Sequence, residues 1–494
     1  MKRLLALALL SATLATGTAY ADDTVSGVTA SIAPGNYAAT QSVVLTVPDD
    51  RVIHYTVDGS DPIITSPIFS SPITVSEDTI LRVAAFDENN VAGNTETLEY
   101  RILPVRSDRV SVGNFIKYAC IAAGIDASDG SFIKAAIDKG FIEDTEFRDY
   151  SAAITVEDTA VVCNRVYEFL YGDDYSKTKF DNVISYDRIS DLTTSSKQAD
   201  LVKCFIRGVM VGNSLGTFST ARRLNPTMPI TVDAAKLAVK RLQNKDLCKT
   251  ISADGQVTRN TDLPESYKEY KYVLESFPNS YYNKPQVYKY LNSVSADEVM
   301  EPYAMGSGTS VTGALETVSE FIDTSDVLGW CSAVEDALKL RFSVDYRTIS
   351  EDWIQSLMNV SYQSVLSEEG FRAELENYVQ NVRNDGTIIQ CNKVVCDPSS
   401  LYYCQGIVYG RAYFSFSVLN SKSSSKSGFI ECVLHGLYNK SVGSTISGYV
   451  DVPLVSDGTA TGKYVLINAM NQIGNVLYYG DDITTNNRVA LAAN

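Results

Sequence analysis

Val110-Ser111-Val112-Gly113-Asn114, Ile154-Thr155-Val156-Glu157-Asp158 and Ile230-Thr231-Val232-Asp233-Ala234 are three versions of one short pattern. Each sets a β-branched apolar residue, a hydroxyl residue and a valine ahead of a helical stretch. A Ser or Thr in that place caps a helix, because its side-chain oxygen accepts one of the first amides that no intrahelical carbonyl can reach. An acid three residues later completes a capping box. Thr155 with Asp158 keeps that logic, Ser111 with Asn114 keeps a weaker form, and Thr231 has Ala234 at the third position. Helical stripes follow: Ala160, Cys163, Val166 and Leu170 in one copy, Ala235, Ala238, Val239 and Leu242 in another. Apolar steps of three to four residues bury one face of each helix against its neighbours.

The stretches between the starts repeat as well. Phe132 to Ile142 and Leu201 to Gly212 each hold a short helix closed by a glycine, Gly140 or Gly208, and then an apolar pair. Such units bury a shared core only when stacked. The pattern resembles the S-layer homology (SLH) repeat, most clearly in Gly216-Thr217-Phe218-Ser219, in Arg222-Arg223-Leu224-Asn225-Pro226 and in Ile230-Thr231. The resemblance implies a three-pronged helical module that holds exported proteins to anionic polysaccharides of Gram-positive cell walls. It also implies a ligand-contacting arginine directly after the hydroxyl residue. In this chain all three equivalents are valine (Val112, Val156 and Val232), which cannot pair with a carboxylate. The helix starts Ser111, Thr155, Asp158 and Thr231 therefore carry architecture, and contact with a wall polymer falls to Arg222, Arg223, Lys236, Lys240 and Arg241 around the third start.

Upstream the periodicity changes to that of strands. Val43 to Val47, Val52 to Thr56, Ile73 to Val75 and Thr79 to Phe86 alternate apolar and polar residues between turn residues, as in a small antiparallel β-sandwich. Tyr55-Thr56-Val57-Asp58-Gly59-Ser60-Asp61-Pro62, then Ser70-Ser71-Pro72-Ile73 and Arg82-Val83-Ala84-Ala85, resemble the β-module at the C-terminal end of chitobiases and hexosaminidases. That resemblance implies a non-catalytic module of surface and carbohydrate-active proteins. Asp58, Ser60 and Asp61 read as a turn rather than a calcium loop, and His54 as a surface or interstrand residue.

Met1-Lys2-Arg3, the apolar run from Leu4 to about Ala15, and Ala19-Tyr20-Ala21 before Asp22 have the form of a secretory signal with cleavage near Asp22. Cleavage takes the formal charge from −17 to −19, leaving 40 basic against 59 acidic residues. Such a charge disfavours nucleic acid and anionic lipid as partners. No later run has membrane-spanning length. Nine cysteines leave at least one without an intrachain partner, and Cys396 and Cys404 are placed to face each other across a hairpin. With two histidines in the chain, 381 residues apart at His54 and His435, multi-histidine metal sites are excluded, and no cofactor motif occurs.

The C-terminal third begins with helical patterns at Leu315–Ile322, Trp330–Leu340, Glu351–Met358 (with Thr348 and Glu351 as a capping box) and Glu369–Val382. Strand runs follow, among them Thr387–Gln390, Val408–Val418, Phe429–Leu437, Ile446–Val452 and Lys463–Ala469. The expected chain is thus multidomain: a signal peptide at 1–21, a β-sandwich module at 22–103, α-helical SLH-like repeats at 104–250, a hairpin and linker at 251–305, and an α+β domain at 306–494. In that last domain helices pack on a curved antiparallel sheet, a cystatin-like roll. Asp345, Glu351 and Asp352 are its candidate carboxylates for glycoside hydrolysis. The function expected is that of an exported, non-enzymatic envelope protein, associated without a covalent bond or transmembrane segment with cell-wall polysaccharide, an S-layer or other envelope proteins. A secreted carbohydrate-active enzyme or carbohydrate-binding component, and a degenerate array acting as a protein–protein scaffold, are the alternatives.

Overall fold

The computed structural model describes residues 27–282 (except 49, 127–129, 266, 268, 269 and 271), 324–362, 368–404, 407–422, 442–443, 445–456, 464–467 and 479–480. The expected signal segment, the helix at 315–322 and the strand at 429–437 lie outside these. The described residues fall into two compact units, one running to Ile154 and including Pro229–Ala235, the other made of Thr155–Met228 and the residues from Lys236 onward.

In the first unit the alternating runs form strands β1 (Thr29–Ala30), β2 (Gly35–Tyr37), β3 (Gln41–Val43), β4 (Leu45–Thr46), β5 (Val52–Thr56), β6 (Ile73–Val75), β7 (Thr79–Phe86) and β8 (Glu96–Ile102). A four-stranded sheet in the order β2-β8-β7-β5 shares one core with the ladders β3-β6 and β1-β4. Period-two alternation explains the packing: Leu81, Val83 and Ala85 of β7 turn inward to meet Val43, Val75 and Tyr100. His54 is interstrand and buried, its Nδ1 2.8 Å from the Ser66 carbonyl and its ring edge-on to Phe86. Asp58 accepts from the Ser60 amide at 3.0 Å, a bond within the turn. Helices α1 (Val112–Ala122) and α2 (Phe132–Asp138) belong to this unit, and the Asp149 carboxylate accepts from the Ala38 amide at 2.8 Å, tying the first repeat to the β-module.

The second unit contains α3 (Val156–Tyr171), α4 (Lys177–Ser185), α5 (Gln198–Ile206), β9 (Asn213–Ser214), β10 (Arg222–Arg223) and all but the first turn of α6 (Val232–Gln243). The glycine-closed helices end alike. Gly140 and Gly208 sit at φ 72° and 69°, and the next amide reaches back to the carbonyl five residues earlier, Phe141 to Ala136 at 2.8 Å and Val209 to Cys204 at 3.2 Å. Only glycine fits at 208, because an added Cβ would fall 1.8 Å from the Lys249 carbonyl oxygen.

Of the segment expected as hairpin and linker, the hairpin at Asp254-Gly255 forms, with Ile251 bridging Val257, but the tyrosine-rich stretch after it is core rather than linker. After β11 (Thr258–Arg259) and β12 (Val273–Leu274), Tyr270, Leu274, Phe277, Tyr281 and Tyr282 join Phe218 of the repeats and Tyr449 of the C-terminal sheet in one buried aromatic cluster. Phe218 takes φ 58° and stacks on Tyr413 at 4.2 Å. Tyrosine makes this possible, since its ring fills a core while its hydroxyl finds a partner.

The C-terminal region holds α7 (Thr324–Phe342), β13 (Val344–Asp345), α8 (Glu351–Asn359), β14 (Ser361–Tyr362), α9 (Glu368–Asp385), β15 (Ile388–Cys396), β16 (Tyr402–Cys404), β17 (Ile407–Asn420), β18 (Thr445–Ser456), β19 (Tyr464–Ile467) and β20 (Tyr479–Gly480). The sheet runs β13-β15-β17-β18-β19-β14, with β16 also on β17 and β20 also on β18. Three helices cover it through Val334, Leu338, Phe342, Leu357, Leu375 and Val382. The expected meander is departed from at one edge, where β14 runs parallel to β19. The Thr348–Glu351 box does not form: Ser350 is the N-cap residue of α8 and makes no side-chain cap bond, and Glu351 pairs with Arg372 instead.

The hairpin pairing of Cys396 with Cys404 is corrected by the register. Asp397 caps the short 3-10 turn Pro398–Ser400, which returns the chain to β17 rather than to β15. Cys396 is opposite Ala412 and Cys404 opposite Ile407 on the same strand. Five residues of strand separate them by roughly 17 Å, beyond the reach of a disulfide.

Candidate functional site

The three helix starts are built alike. Ser111, Thr155 and Thr231 each accept the amide three residues on, from Asn114, Asp158 and Ala234, at 3.2 Å in every case. The Asp158 carboxylate takes the Thr155 hydroxyl at 2.6 Å and the Lys197 ammonium at 2.6 Å. The valine amides are spent in a matching way. Val112 donates to Ala152, Val156 to Met228 and Val232 to Asp108, each a carbonyl four residues ahead of another copy's valine, at 2.9, 2.9 and 3.0 Å. Within the first unit the lead-in segments also pair directly, Ser111 with Ala153, Arg109 with Thr231, and the Ile230 amide with the Ile154 carbonyl at 2.9 Å. The repetition seen in sequence is thus a repetition of bonds. Val112 and Val156 are buried and Val232 is half-buried, so these positions supply packing.

The five basic residues around the third start divide into two kinds. Arg222 is buried, with Nε on the Val211 carbonyl at 2.6 Å, Nη2 on the Gly212 carbonyl at 2.8 Å and Nη1 on the Glu275 carboxylate at 2.8 Å. Arg241 is buried too, holding the carbonyls of Leu247 at 3.2 Å and Val209 at 2.8 Å. Both guanidiniums hold chain reversals and cannot also face a polymer. Arg223, Lys236 and Lys240 are exposed, and among the described residues none of the three forms an ion pair. Other cations of the region are engaged: Arg207 bonds Glu168 at 2.9 Å and Asp173 at 2.8 Å, and Lys245 bonds Asp174 at 2.7 Å. Hydrogen bonds from Lys203 and Arg207 outweigh burial at Glu168 and hold its carboxyl below the usual range.

A polar cluster that sequence reasoning did not find lies inside the second unit. Asp254, in the turn after Ile251, and Asp397, before the 3-10 turn, are both about 2% exposed. Gln256 Nε2 donates to both carboxylates, at 2.6 Å to Asp254 and 2.5 Å to Asp397. Arg188 neutralises Asp254 at 3.0 Å, and the Tyr272 hydroxyl donates to it at 3.2 Å. Asp397 has the Ser399 amide at 2.8 Å but no ion pair among the described residues. Burial, then the neighbouring Asp254 charge, push its carboxyl up to about 6. Paired carboxylates with one raised are the pattern of acid–base catalysis. Here both are buried, so a polymeric substrate has no access, and the pair, joined through Gln256, acts as a structural tie between residues far apart in the chain.

The carboxylates singled out from sequence are at the surface. Asp345 is held by Arg347, Nε 2.8 Å from Oδ1, which lowers its carboxyl to about 2, and Glu351 is bonded to Arg372 at 2.7 Å. Asp352 is exposed on the first turn of α8. Among the described residues no group of His, Cys, Asp and Glu is arranged to hold a metal ion, and no helix is long and apolar enough to cross a membrane.

Residues 32–97 match the family model of the chitobiase/beta-hexosaminidase C-terminal domain, in agreement with the β-module resemblance over β2 to β8. No curated protein matches the chain.

Proposed function

We propose that this chain is an exported, non-enzymatic cell-envelope protein in which an SLH-like array serves mainly as a scaffold. The observation that carries the reading is the identical bonding of the three capped starts with buried or half-buried valines behind them. A site for an anionic polymer needs exposed cations at that position, and an apolar side chain there favours a dry contact. The match of residues 32–97 to a carbohydrate-related domain family supports an envelope setting. Any hold of the array on wall polymer rests on Arg223, Lys236 and Lys240. The buried Asp254–Asp397 pair and the surface ion pairs of Asp345 and Glu351 favour a non-catalytic role.

The test is co-sedimentation of the full chain with isolated wall material, beside a variant carrying Arg223→Ala, Lys236→Ala and Lys240→Ala. Sedimentation that survives in the variant supports the scaffold reading. Sedimentation lost in the variant assigns the contact to the three cations, and failure of the wild-type chain to sediment removes wall association.

A further inference from the structure

The chain has two Asp–Pro bonds, Asp61–Pro62 in the β-module and Asp397–Pro398 in the turn between β15 and β16. A bond to proline is a tertiary amide, and its nitrogen leaves more readily than an ordinary peptide nitrogen once it takes a proton. An aspartate just before it can reach its own carbonyl carbon by closing a small ring, an attack for which the reacting groups are already together.

The two bonds sit in different surroundings. The Asp61 carboxylate is exposed and paired with Arg82. Asp397, Pro398, Ser399 and Ser400 are all buried. The Asp397 carbonyl oxygen receives the Ser400 amide at 3.0 Å and the Ser400 hydroxyl at 2.8 Å, and the hydroxyl is closer to it than to the Arg411 carbonyl at 3.2 Å. Two donors on one carbonyl oxygen can steady the charge that a tetrahedral intermediate places there. The Ser399 amide at 2.8 Å and Gln256 at 2.5 Å fix the two carboxyl oxygens, and the Asp397 amide donates to the Tyr281 hydroxyl at 3.0 Å.

We propose that Asp397–Pro398 is a self-cleaving bond, cut in mild acid by the Asp397 carboxyl. A side-chain oxygen of the neutral carboxyl attacks the Asp397 carbonyl carbon. The bond from that carbon to the Pro398 nitrogen breaks, and the carboxyl proton passes to the nitrogen. The products are a cyclic anhydride at Asp397 and a free secondary amine at Pro398. Water then adds to the anhydride and leaves Asp397 with an α-carboxyl and its side-chain carboxyl, so that one water is consumed for one peptide bond.

The need for acid follows from what faces Asp397. Asp254 approaches with Arg188 and Tyr272 attached to it, Tyr281 and Tyr282 pack from the segment after β12, Cys331 and Glu335 from α7, Cys396 from β15, and Arg411 of β17 turns its guanidinium to the Tyr281 carbonyl at 3.2 Å. Burial, then Asp254, raise the Asp397 carboxyl to about 6, so the proton that the leaving nitrogen needs is present where an ordinary aspartate has lost its own. The ladder from Ile388 opposite Asn420 to Cys396 opposite Ala412 holds the two pieces together after the cut, so only denaturing separation reveals it.

Purified full chain is incubated for days at about pH 5 and about pH 8, folded and in urea, in water labelled with heavy oxygen, and its termini are mapped by mass spectrometry after denaturation. The expected result is a new N-terminus at Pro398 that appears in the folded chain at the lower pH, roughly tenfold or more faster than in urea, with Asp61–Pro62 intact. Heavy oxygen should enter both carboxyls of Asp397, because water can add to either carbonyl of an anhydride. Ser400→Ala should slow the cut roughly tenfold or more, with tryptophan fluorescence reporting that the domain is still folded. Pro398→Ala, which restores an ordinary peptide bond, should abolish it. A folded chain that stays whole, equal cutting at both Asp–Pro bonds, or label confined to the α-carboxyl overturns the proposal, as does an unchanged rate in folded Ser400→Ala.

Discussion

Asp397→Asn should change the pH dependence of stability more than stability itself. In the folded chain the Asp397 carboxyl is raised from 3.8 to about 6, first by burial and then by Asp254. A raised carboxyl favours the folded state in acid, and that advantage is lost as pH rises through the folded value. At 1.36 kcal/mol per unit, full ionisation costs the fold about 3 kcal/mol, of which about 2 kcal/mol accrues between pH 4.5 and pH 8. Asparagine keeps an oxygen for the Ser399 amide and carries no charge. Its NH2 group faces Gln256, whose amide can turn to present Oε1, an atom with no hydrogen-bond partner in the native arrangement. The turned amide gives up its bond to Asp254, a loss of about 1 kcal/mol.

The variant should therefore be about 2 kcal/mol more stable than the wild type at pH 8 and about equally stable at pH 4.5, the difference moving by about 2 kcal/mol between them. The chain has two tryptophans, Trp330 on α7 and Trp353 on α8, so their fluorescence during urea unfolding reports the domain that holds Asp397. An equal loss of stability at both pH values would refute the reasoning, because it would mean that Asp397 is neutral, or paired, throughout the range.

Other substitutions separate effects that look alike in sequence. Gly208→Ala drives a Cβ into the Lys249 backbone and should cost more than about 3 kcal/mol in urea unfolding, whereas Gly140→Ala meets no atom within 4 Å and should cost only its left-handed conformation, about 1 kcal/mol. Thr155→Ala removes both the cap and the hydroxyl bond to Asp158 and should cost about 1–2 kcal/mol, with Thr155→Ser retaining most of it in the same assay. Arg188→Leu leaves Asp254 charged and buried, and a loss of about 3–5 kcal/mol in thermal unfolding is expected.

What could be read from the sequence was what local chemistry decides. A cap involves residues three apart, a glycine end five or six apart, and strand alternation two apart, so the helix starts, the turns at Gly140 and Gly208 and the β-module were legible. The tyrosine segment was not, because Asn260 to Pro264 has a linker's composition while its neighbours pack on side chains more than a hundred residues away, as Gln256 does on Asp397. Nor does sequence separate Arg222 from Arg223. Their fates differ because β10 turns one side chain toward the carbonyls of Val211 and Gly212 and the next toward solvent. The Cys396 partner was misassigned for a related reason. A two-cysteine loop between strand runs suggests a hairpin, but register decides which strand each run joins, and β17 takes both.

The charge balance gives the wall question a sign as well as a magnitude. The chain carries a formal charge of −17, and Glu168, Asp173 and Asp174 already engage Lys203, Arg207 and Lys245. An anionic polymer approaching such a surface is repelled at long range, and only the short-range contacts of Arg223, Lys236 and Lys240 oppose the repulsion. At about 0.1 M salt the Debye length is about 10 Å, so added salt weakens both effects. If the three cations dominate, raising salt from about 0.05 to about 0.5 M should release the protein from wall material, as direct charge pairing requires. If the scaffold reading holds and association runs through apolar protein contacts, the same change removes only repulsion and should leave sedimentation unchanged or strengthen it. Release by salt in the wild type, with no release left to measure in the triple variant, would return the array to polymer binding and refute a scaffold role for the buried valines.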